Sequence, residues 1–259
     1  MKLLRLLALT VLVSLAVFGP AYGQTNPTPI DTTHYWTYKL VQPEFRPSEV
    51  LARDQFLTFD TPVYLDSLTR LVNWVIKNES AVRDTFIHYT WWNIRNKLPV
   101  AKHVQVTNQF GSFPVDVQNL EFLLVPAWKN QPQPVPPYAN HYLCYRAIGF
   151  PPPALSVHLR DEWRNDFQNP GPLEFLCVPC WKNHNGQIFA PVDTVNHLAL
   201  YPITPVSELF YPFVQDQFRE GPTPVRQTPI EYLLVPSLKR EEPTKTQNTT
   251  WGKVKVLYR

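Results

Sequence analysis

Glycine, methionine and cysteine are scarce in this chain. Among 259 residues there are 8 glycines, one methionine and three cysteines, against 28 prolines. Proline at this density interrupts helices, because it removes a backbone donor and its ring clashes with the preceding turn. A disordered chain is also excluded, because 44% of the residues are hydrophobic and 14% are aromatic. The composition therefore predicts an all-β protein of short strands and proline-containing turns.

An excess of charge of one sign is also missing. Without residues 1–23 the chain carries 22 basic and 21 acidic residues. Such a balance offers no basic surface to phosphate groups, so we expect no nucleic-acid partner. After residue 23, no stretch has the length and apolarity that a transmembrane helix requires, so we expect no transmembrane segment.

The first 23 residues have the pattern of a signal peptide. Lys2 and Arg5 precede an apolar stretch over residues 6–18, and the small residues Ala21 and Gly23 fit the positions before a cleavage site. We therefore expect cleavage near Gly23 and a mature protein that is secreted, periplasmic or attached to the cell surface.

Three signatures recur in the same order four times. The first is a His before an apolar strand, the second is Asp or Asn followed by Gln or Glu and an aromatic residue, and the third is an apolar run ending in Lys. The first begins at His34, His88, His141 and His197, the second at Asp54, Asn108, Asp161 and Asp216, and the third ends at Lys77, Lys129, Lys182 and Lys239. The histidines lie 54, 53 and 56 positions apart. This regularity predicts four copies of one β-rich unit.

The spacing also sets the boundaries of the predicted tandem array of units of about 54 residues. The four copies are residues 34–87, 88–140, 141–196 and 197–239; residues 24–33 and 240–250 are predicted linkers, and residues 251–259 a closing strand. That strand completes the fourth copy or closes a ring against the first. The array is either a propeller-like ring or a set of packed sandwich units. Residues 65–77 fit a strand or a helix.

The cysteines are interpreted through the repeat. Cys144 lies in the first signature of the third copy and Cys177 in its last signature. The equivalent pairs are Thr37 with Val72, Trp91 with Leu124, and Leu200 with Leu234. Because these pairs are mostly apolar, the two positions should touch, which predicts a Cys144–Cys177 disulfide. Cys180 is then a free thiol; a redox role for the Cys177-x-x-Cys180 motif would need a thioredoxin-like framework.

The candidate site residues follow from the same alignment. His34, His88, His141 and His197 are candidate metal ligands if a ring brings them to one axis; alternatively, each satisfies a turn carbonyl. Trp91, Trp92, Trp128 and Trp181 are candidates for a sugar-stacking surface, with an aromatic core as the alternative. Asn108 replaces Asp in one copy, which favours a turn over a catalytic carboxylate. The signature lysines are interpreted as solvated strand ends, and no catalytic residue or cofactor is predicted.

A resemblance supports the architecture. With His-Tyr-x-Cys-Tyr from His141, Asp-Gln-Phe from Asp216, and Leu-Cys-x-Pro around Cys177, the chain resembles an uncharacterised family of exported bacterial repeat domains. The family has one cysteine in its first motif and one in its last, which matches Cys144 and Cys177. The resemblance implies the repeat and the disulfide, and it implies no particular activity.

Two functions remain compatible with the sequence. The favoured one is an exported non-enzymatic scaffold that binds a protein or glycan ligand at the cell surface or forms a homo-oligomer. The alternative is a secreted hydrolase or metal-binding protein with a site between repeats. A site used once should break the repeat by placing polar residues where other copies are apolar. The sequence shows no clear break of this kind.

Overall fold

A computed structural model describes residues 33–80, 82, 85–130, 138–207, 209–219 and 221–241. The predicted signal peptide and the predicted closing strand lie outside the described residues. Of the two predicted linkers, the structure describes only Thr33 and residues 240–241. Within the described ranges there are strands and no helix, which confirms the all-β class.

The described residues form fourteen strands of one large antiparallel sheet. They are β1 (His34–Arg53), β2 (Thr61–Lys77), β3 (His88–Ile94), β4 (Lys102–Asn108), β5 (Gly111–Lys129), β6 (His141–Ile148), β7 (Val157–Arg160), β8 (Asn165–Gln168), β9 (Phe175–His184), β10 (Gln187–Phe189), β11 (His197–Pro202), β12 (Phe213–Gln215), β13 (Thr223–Pro224) and β14 (Gln227–Glu241). Residues 65–77, compatible with a strand or a helix in the sequence, lie entirely in β2, where burial alternates over residues 73–77 as expected for a strand.

The first and last signatures of each copy are paired strands. The pairs are β1–β2, β3–β5, β6–β9 and β11–β14. Their registers place Thr37 opposite Val72, Trp91 opposite Leu124, Cys144 opposite Cys177, and Leu200 opposite Leu234. The sequence alignment therefore identified the cross-strand neighbours correctly in every copy.

Adjacent copies also pair directly with each other. The connecting ladders are β2–β3, β5–β6, β9–β11 and β14–β1. The eight strands consequently form a closed cycle of ladders, in the order β1, β2, β3, β5, β6, β9, β11, β14 and back to β1. We call this the eight-strand cycle. The two predicted arrangements of the copies, a propeller-like ring and a set of packed sandwich units, both stay predictions.

The two faces of the cycle bury different clusters, because successive side chains of a strand point to opposite faces. The smaller cluster contains buried residues from all eight strands. In it, Trp91 of β3 contacts Phe175 of β9 and Tyr232 of β14, each with ring centroids 5.8 Å apart, although β3 pairs with neither strand. This cluster therefore lies inside the cycle, and we call it the enclosed cluster. The larger cluster covers the outer face and includes side chains from β4, β7 and β12.

Candidate functional site

The second signature closes a tight turn in each copy. In the first copy, Oδ1 of Asp54 accepts hydrogen bonds from the backbone N–H groups of Phe56 and Leu57, at 2.7 and 2.8 Å. Asn108, Asp161 and Asp216 accept in the same way from the aromatic residue two positions later. These are Asx turns, as the Asn replacement in the second copy indicated.

The other side-chain atom of each turn residue bonds to a different copy. In all four cases the partner is the residue four positions after a signature His. The bonds join Asp54 to Tyr145, Asn108 to Tyr201, Asp161 to Tyr38, and Asp216 to Trp92. The first copy is thus bonded to the third and the second to the fourth, in both directions. A residue that recurs in every copy therefore ties opposite hairpins of the cycle together.

The signature lysines also pair with the opposite copy, through the backbone hydrogen bonds of the β-ladders. Their Cα partners are Leu159 for Lys77, Val214 for Lys129, Ala52 for Lys182 and Val106 for Lys239. Each partner lies two residues before the Asx turn of the opposite copy. Lys77 and Lys129 are 7% and 9% exposed, and Lys182 is fully buried. The interpretation of the signature lysines as solvated strand ends is therefore wrong for these three, and Lys239 is half-buried.

Each lysine also lies against the aromatic residue of the next copy's turn. The Nζ-to-centroid distances are 5.9 Å for Lys77 and Phe110, 4.0 Å for Lys129 and Trp163, 5.3 Å for Lys182 and Phe218, and 4.5 Å for Lys239 and Phe56. The last of these contacts returns from the fourth copy to the first. Cation–π contacts compensate part of the cost of burying an ammonium group. The three signatures thus form one set of contacts between copies, which recurs around the cycle and which we call the interlock.

The signature histidines are buried and contact separate groups. Nε2 of His34 lies 2.7 Å from Nε2 of Gln109, Nε2 of His141 lies 2.8 Å from Nζ of Lys182, and Nδ1 of His197 lies 2.7 Å from the Val195 carbonyl oxygen. Burial lowers the pKa of His88 and His141 well below the usual range and that of His197 to about 4. In the described part of the chain, no three His, Cys, Asp or Glu side chains are grouped as metal ligands. A metal at the histidines stays a prediction.

The four candidate tryptophans differ in exposure. Trp91 and Trp92 are 3% and 0% exposed, on the enclosed and outer faces respectively. Trp128 and Trp181 are half-buried, and the Arg53 guanidinium lies 4.6 Å from the Trp181 ring centroid. Half of the predicted surface is therefore core, and a sugar-binding role for Trp128 and Trp181 stays a prediction.

The predicted disulfide is confirmed. Cys144 and Cys177 are bonded inside the enclosed cluster, and both are fully buried. Cys180 is a buried free thiol on the outer face, opposite to Cys177. Burial, with Asp54 nearby, raises the pKa of the Cys180 thiol. The Cys-x-x-Cys pair therefore points to two faces of one strand, which does not suit a redox dithiol.

The repeat is broken around the buried Lys129, and the sequence comparison missed this break. Asn73 occupies the position of Val125, Val178 and Val235; Glu162 that of Gln55, Gln109 and Gln217; and Trp163 that of Phe56, Phe110 and Phe218. All three departures lie around Lys129. The signal for Asn73 lies in the spacing of the third signature, because Asn73 precedes Lys77 by four residues, as the valines precede the other lysines.

Lys129 is surrounded by a compact group of polar side chains and by the Trp163 ring. Nζ of Lys129 donates to Oδ1 of Asn73 at 2.8 Å, and Nδ2 of Asn73 donates to Oδ2 of Asp161 at 2.7 Å. Oε1 of Glu162 contacts the same Nζ, which also lies over the Trp163 ring. The Lys129 side chain is 3% exposed and Asn73 is fully buried. Burial lowers the pKa of Lys129 to about 7, although Asp161 opposes the shift. We call these residues the Lys129 site.

A second break lies on the other face of the sheet, at one end of the enclosed cluster. Arg70 occupies the position of Phe122, Phe175 and Tyr232. Its guanidinium pairs with Glu231 at 2.7 Å and lies 4.4 Å from the Trp91 ring centroid. Because Arg70 has both an ionic and an aromatic partner, this group is a satisfied internal contact.

One serine–histidine contact bears on the hydrolase alternative. Oγ of Ser48 lies 3.2 Å from Nε2 of His184, and the amide of Asn185 lies 3.4 Å from the same nitrogen. A base that activates serine is normally oriented by a third group on its other ring nitrogen. The observed partners of His184 all reach it through Nε2 or the ring face, as Phe218 does. This contact is a serine–histidine pair without the triad arrangement.

The described residues form no helix, and hence none that is long and apolar enough to cross a membrane. A family described as a repeat of unknown function, DUF7450, matches residues 88–238. The match begins at the histidine of the second copy and ends one residue before the lysine of the fourth. The comparisons with curated proteins and with solved structures found no match.

Proposed function

We propose that this chain, which belongs to the DUF7450 family of repeats of unknown function, is an exported, non-enzymatic scaffold built from four copies. In this proposal the signal peptide directs the chain across a membrane, and the disulfide forms in the oxidising compartment beyond it. The scaffold then binds a protein or glycan at the cell surface or assembles with further copies of itself.

One observation carries the proposal. The recurrent polar residues are engaged in contacts between copies: each turn residue bonds to the opposite copy, and each lysine lies against the turn of the next. Catalytic groups must instead present free polar atoms to a substrate. A set of residues used in this way favours a structural role for the repeat.

Exposed aromatic side chains supply the proposed contact surface. Phe59 is 80% exposed, Phe167 is 75% exposed and Phe45 is 64% exposed. Aromatic residues are enriched at binding surfaces, since they contribute a large contact area for little conformational entropy. We place the ligand contacts on such side chains rather than on the buried tryptophans.

The test compares binding with turnover. The chain from residue 24 onward is applied to glycan and protein arrays and incubated with ester, peptide and glycoside substrates. We expect retention that Phe59→Ser or Phe167→Ser weakens, and no product. Turnover that Ser48→Ala abolishes would instead establish the hydrolase alternative. Light scattering of the same sample reports whether the chain self-associates.

A further inference from the structure

The Lys129 site differs from its equivalents in a way that folding does not require. The three equivalent lysines make the same ladder and turn contacts, and Lys77 and Lys182 are buried in them without an amide at the position of Asn73. Valine fills that position in the other copies. A buried asparagine there costs desolvation energy unless it is fully hydrogen-bonded, so its presence calls for a reason beyond packing.

The three groups around Lys129 have complementary chemistry. An amine lies within hydrogen-bond distance of a carboxamide, a carboxylate contacts the amine, and a second carboxylate holds the amide nitrogen. Oδ2 of Asp161 also accepts from Trp36 and Tyr38 at 2.7 and 2.8 Å, which fixes its position. Fixing a nucleophile and an electrophile side by side raises their effective concentration by orders of magnitude, which lets an otherwise slow acyl transfer proceed.

We propose that Lys129 and Asn73 form an intramolecular amide bond, which joins β2 to β5 across β3. The proposal does not depend on the binding role proposed above. It assigns a covalent modification to the Lys129 site and a reason to each of the three departures around Lys129.

The reaction is an acyl transfer with a simple balance. The neutral amine of Lys129 attacks Cγ of Asn73, forming the new C–N bond, and the bond from Cγ to Nδ2 then breaks. Nζ loses one proton and the departing Nδ2 gains one, so the products are a secondary amide and one ammonia molecule. No electrons are transferred, and neither an oxidant nor a nucleotide is consumed.

Each neighbour has a distinct part in that step. Glu162 touches Nζ and carries the proton from the amine to the departing nitrogen. Asp161 positions the amide through Nδ2. Burial favours the neutral, nucleophilic amine, which agrees with the lowered pKa of Lys129. Trp163 and the surrounding core exclude the water that would compete for the acyl group.

Mass spectrometry of the purified, reduced protein tests the proposal directly. We expect an intact mass lower than that of the linear chain by one ammonia molecule. Trypsin should leave the bond after Lys129 uncut and release the Asn73 and Lys129 peptides as one joined species. A full linear mass with a normal cut after Lys129 would overturn the proposal.

Two matched variants, Asn73→Val and Glu162→Gln, keep the result interpretable, because each carries the residue found in the other copies. Asn73→Val should show the linear mass and a normal cut after Lys129. Glu162→Gln should fold, yet form the joined species at least tenfold more slowly. Asn73→Asp should give the same joined product as the native chain by losing water instead of ammonia.

Lys182→Met is the control in an equivalent lysine, and its ammonia loss should equal that of the native chain. Circular dichroism confirms that each variant is folded. A joined species that persists in folded Asn73→Val, or an ammonia loss that follows Lys182 instead of Lys129, would also overturn the assignment.

Discussion

The second and third copies bury the same lysine by the same contacts and surround it differently. Lys129 faces an amide, a carboxylate and an indole, whereas Nζ of Lys182 lies 2.8 Å from His141 and over Phe189 and Phe218. At the centre of the enclosed cluster, the second copy has Trp91 opposite Leu124, and the third has the disulfide. The same contacts between copies therefore accommodate different side chains at equivalent positions. A departure from the repeat then indicates which copy has a role of its own.

The largest expected difference between these copies comes from the disulfide. Replacing both Cys144 and Cys177 by alanine should lower the free energy of unfolding by about 4 kcal/mol, since the bond restricts the unfolded chain and its loss opens space in the core. Urea denaturation measures the change. Replacing both by leucine, as in the fourth copy, should recover part of it. A loss below about 1 kcal/mol would show that the bond contributes little to the third copy.

The acids beside the two lysines should differ next. Oδ2 of Asp161 accepts three side-chain hydrogen bonds, whereas Oδ2 of Asp216 accepts two, from Thr90 and Trp92. Asp161→Asn should therefore cost about 3 kcal/mol and Asp216→Asn about 2 kcal/mol, because hydrogen bonds to a charged group are the stronger ones. Thermal and urea unfolding of both variants check the order. Equal or reversed losses would contradict this account of the acids.

The pH dependence of stability separates the two lysines. Burial lowers the pKa of Lys182 to about 7, below the value of about 10.4 for an unfolded lysine. Above pH 7 the unfolded chain binds the extra proton and the folded chain does not, so the free energy of unfolding rises with pH. Below pH 7 both states bind it and the contribution is constant.

The matching experiment follows urea unfolding from about pH 7 to about pH 8, below the pKa of about 8.5 of an unfolded cysteine thiol. Lys182→Met should flatten the rise. Lys129→Met should leave the slope as it is, because an amide nitrogen does not titrate in this range. Equal flattening by both variants would mean that Lys129 is a free amine in the native protein.

The smallest expected effect concerns the spare thiol of the third copy. Cys180 occupies the position of Ala127 in the second copy, so Cys180→Ala should cost less than about 1 kcal/mol. Because the thiol is buried and its pKa is raised, a thiol reagent should react only after denaturant unfolds the chain. Rapid labelling of the folded protein would contradict this placement.

The recurrent parts of the fold were predictable from the sequence. Strand pairing within each copy, the disulfide and the turns at Asp54 and Asn108 all follow from residues that recur at fixed spacing. The burial of the lysines was not predictable in this way. A lysine at a strand end normally extends into solvent, whereas contacts from other copies, including the turn of the next one, cover these lysines.

The Lys129 site was missed for a related reason. Its members, Asn73, Lys129 and Glu162, come from three different copies, so no local motif contains them. The signal was present as three single departures from the repeat. Only the tertiary structure brings these three departures together around Lys129.

The sequence by itself determined the all-β class, the recurrence of the three signatures and the partner of Cys144, because periodicity and register are local properties that recur along the chain. The tertiary structure decided that the copies exchange partners across the eight-strand cycle, and that Lys129 meets Asn73 between two carboxylates. Those contacts join residues far apart along the chain. Their positions depend on how the hairpins close around a common core, which no spacing within a copy encodes.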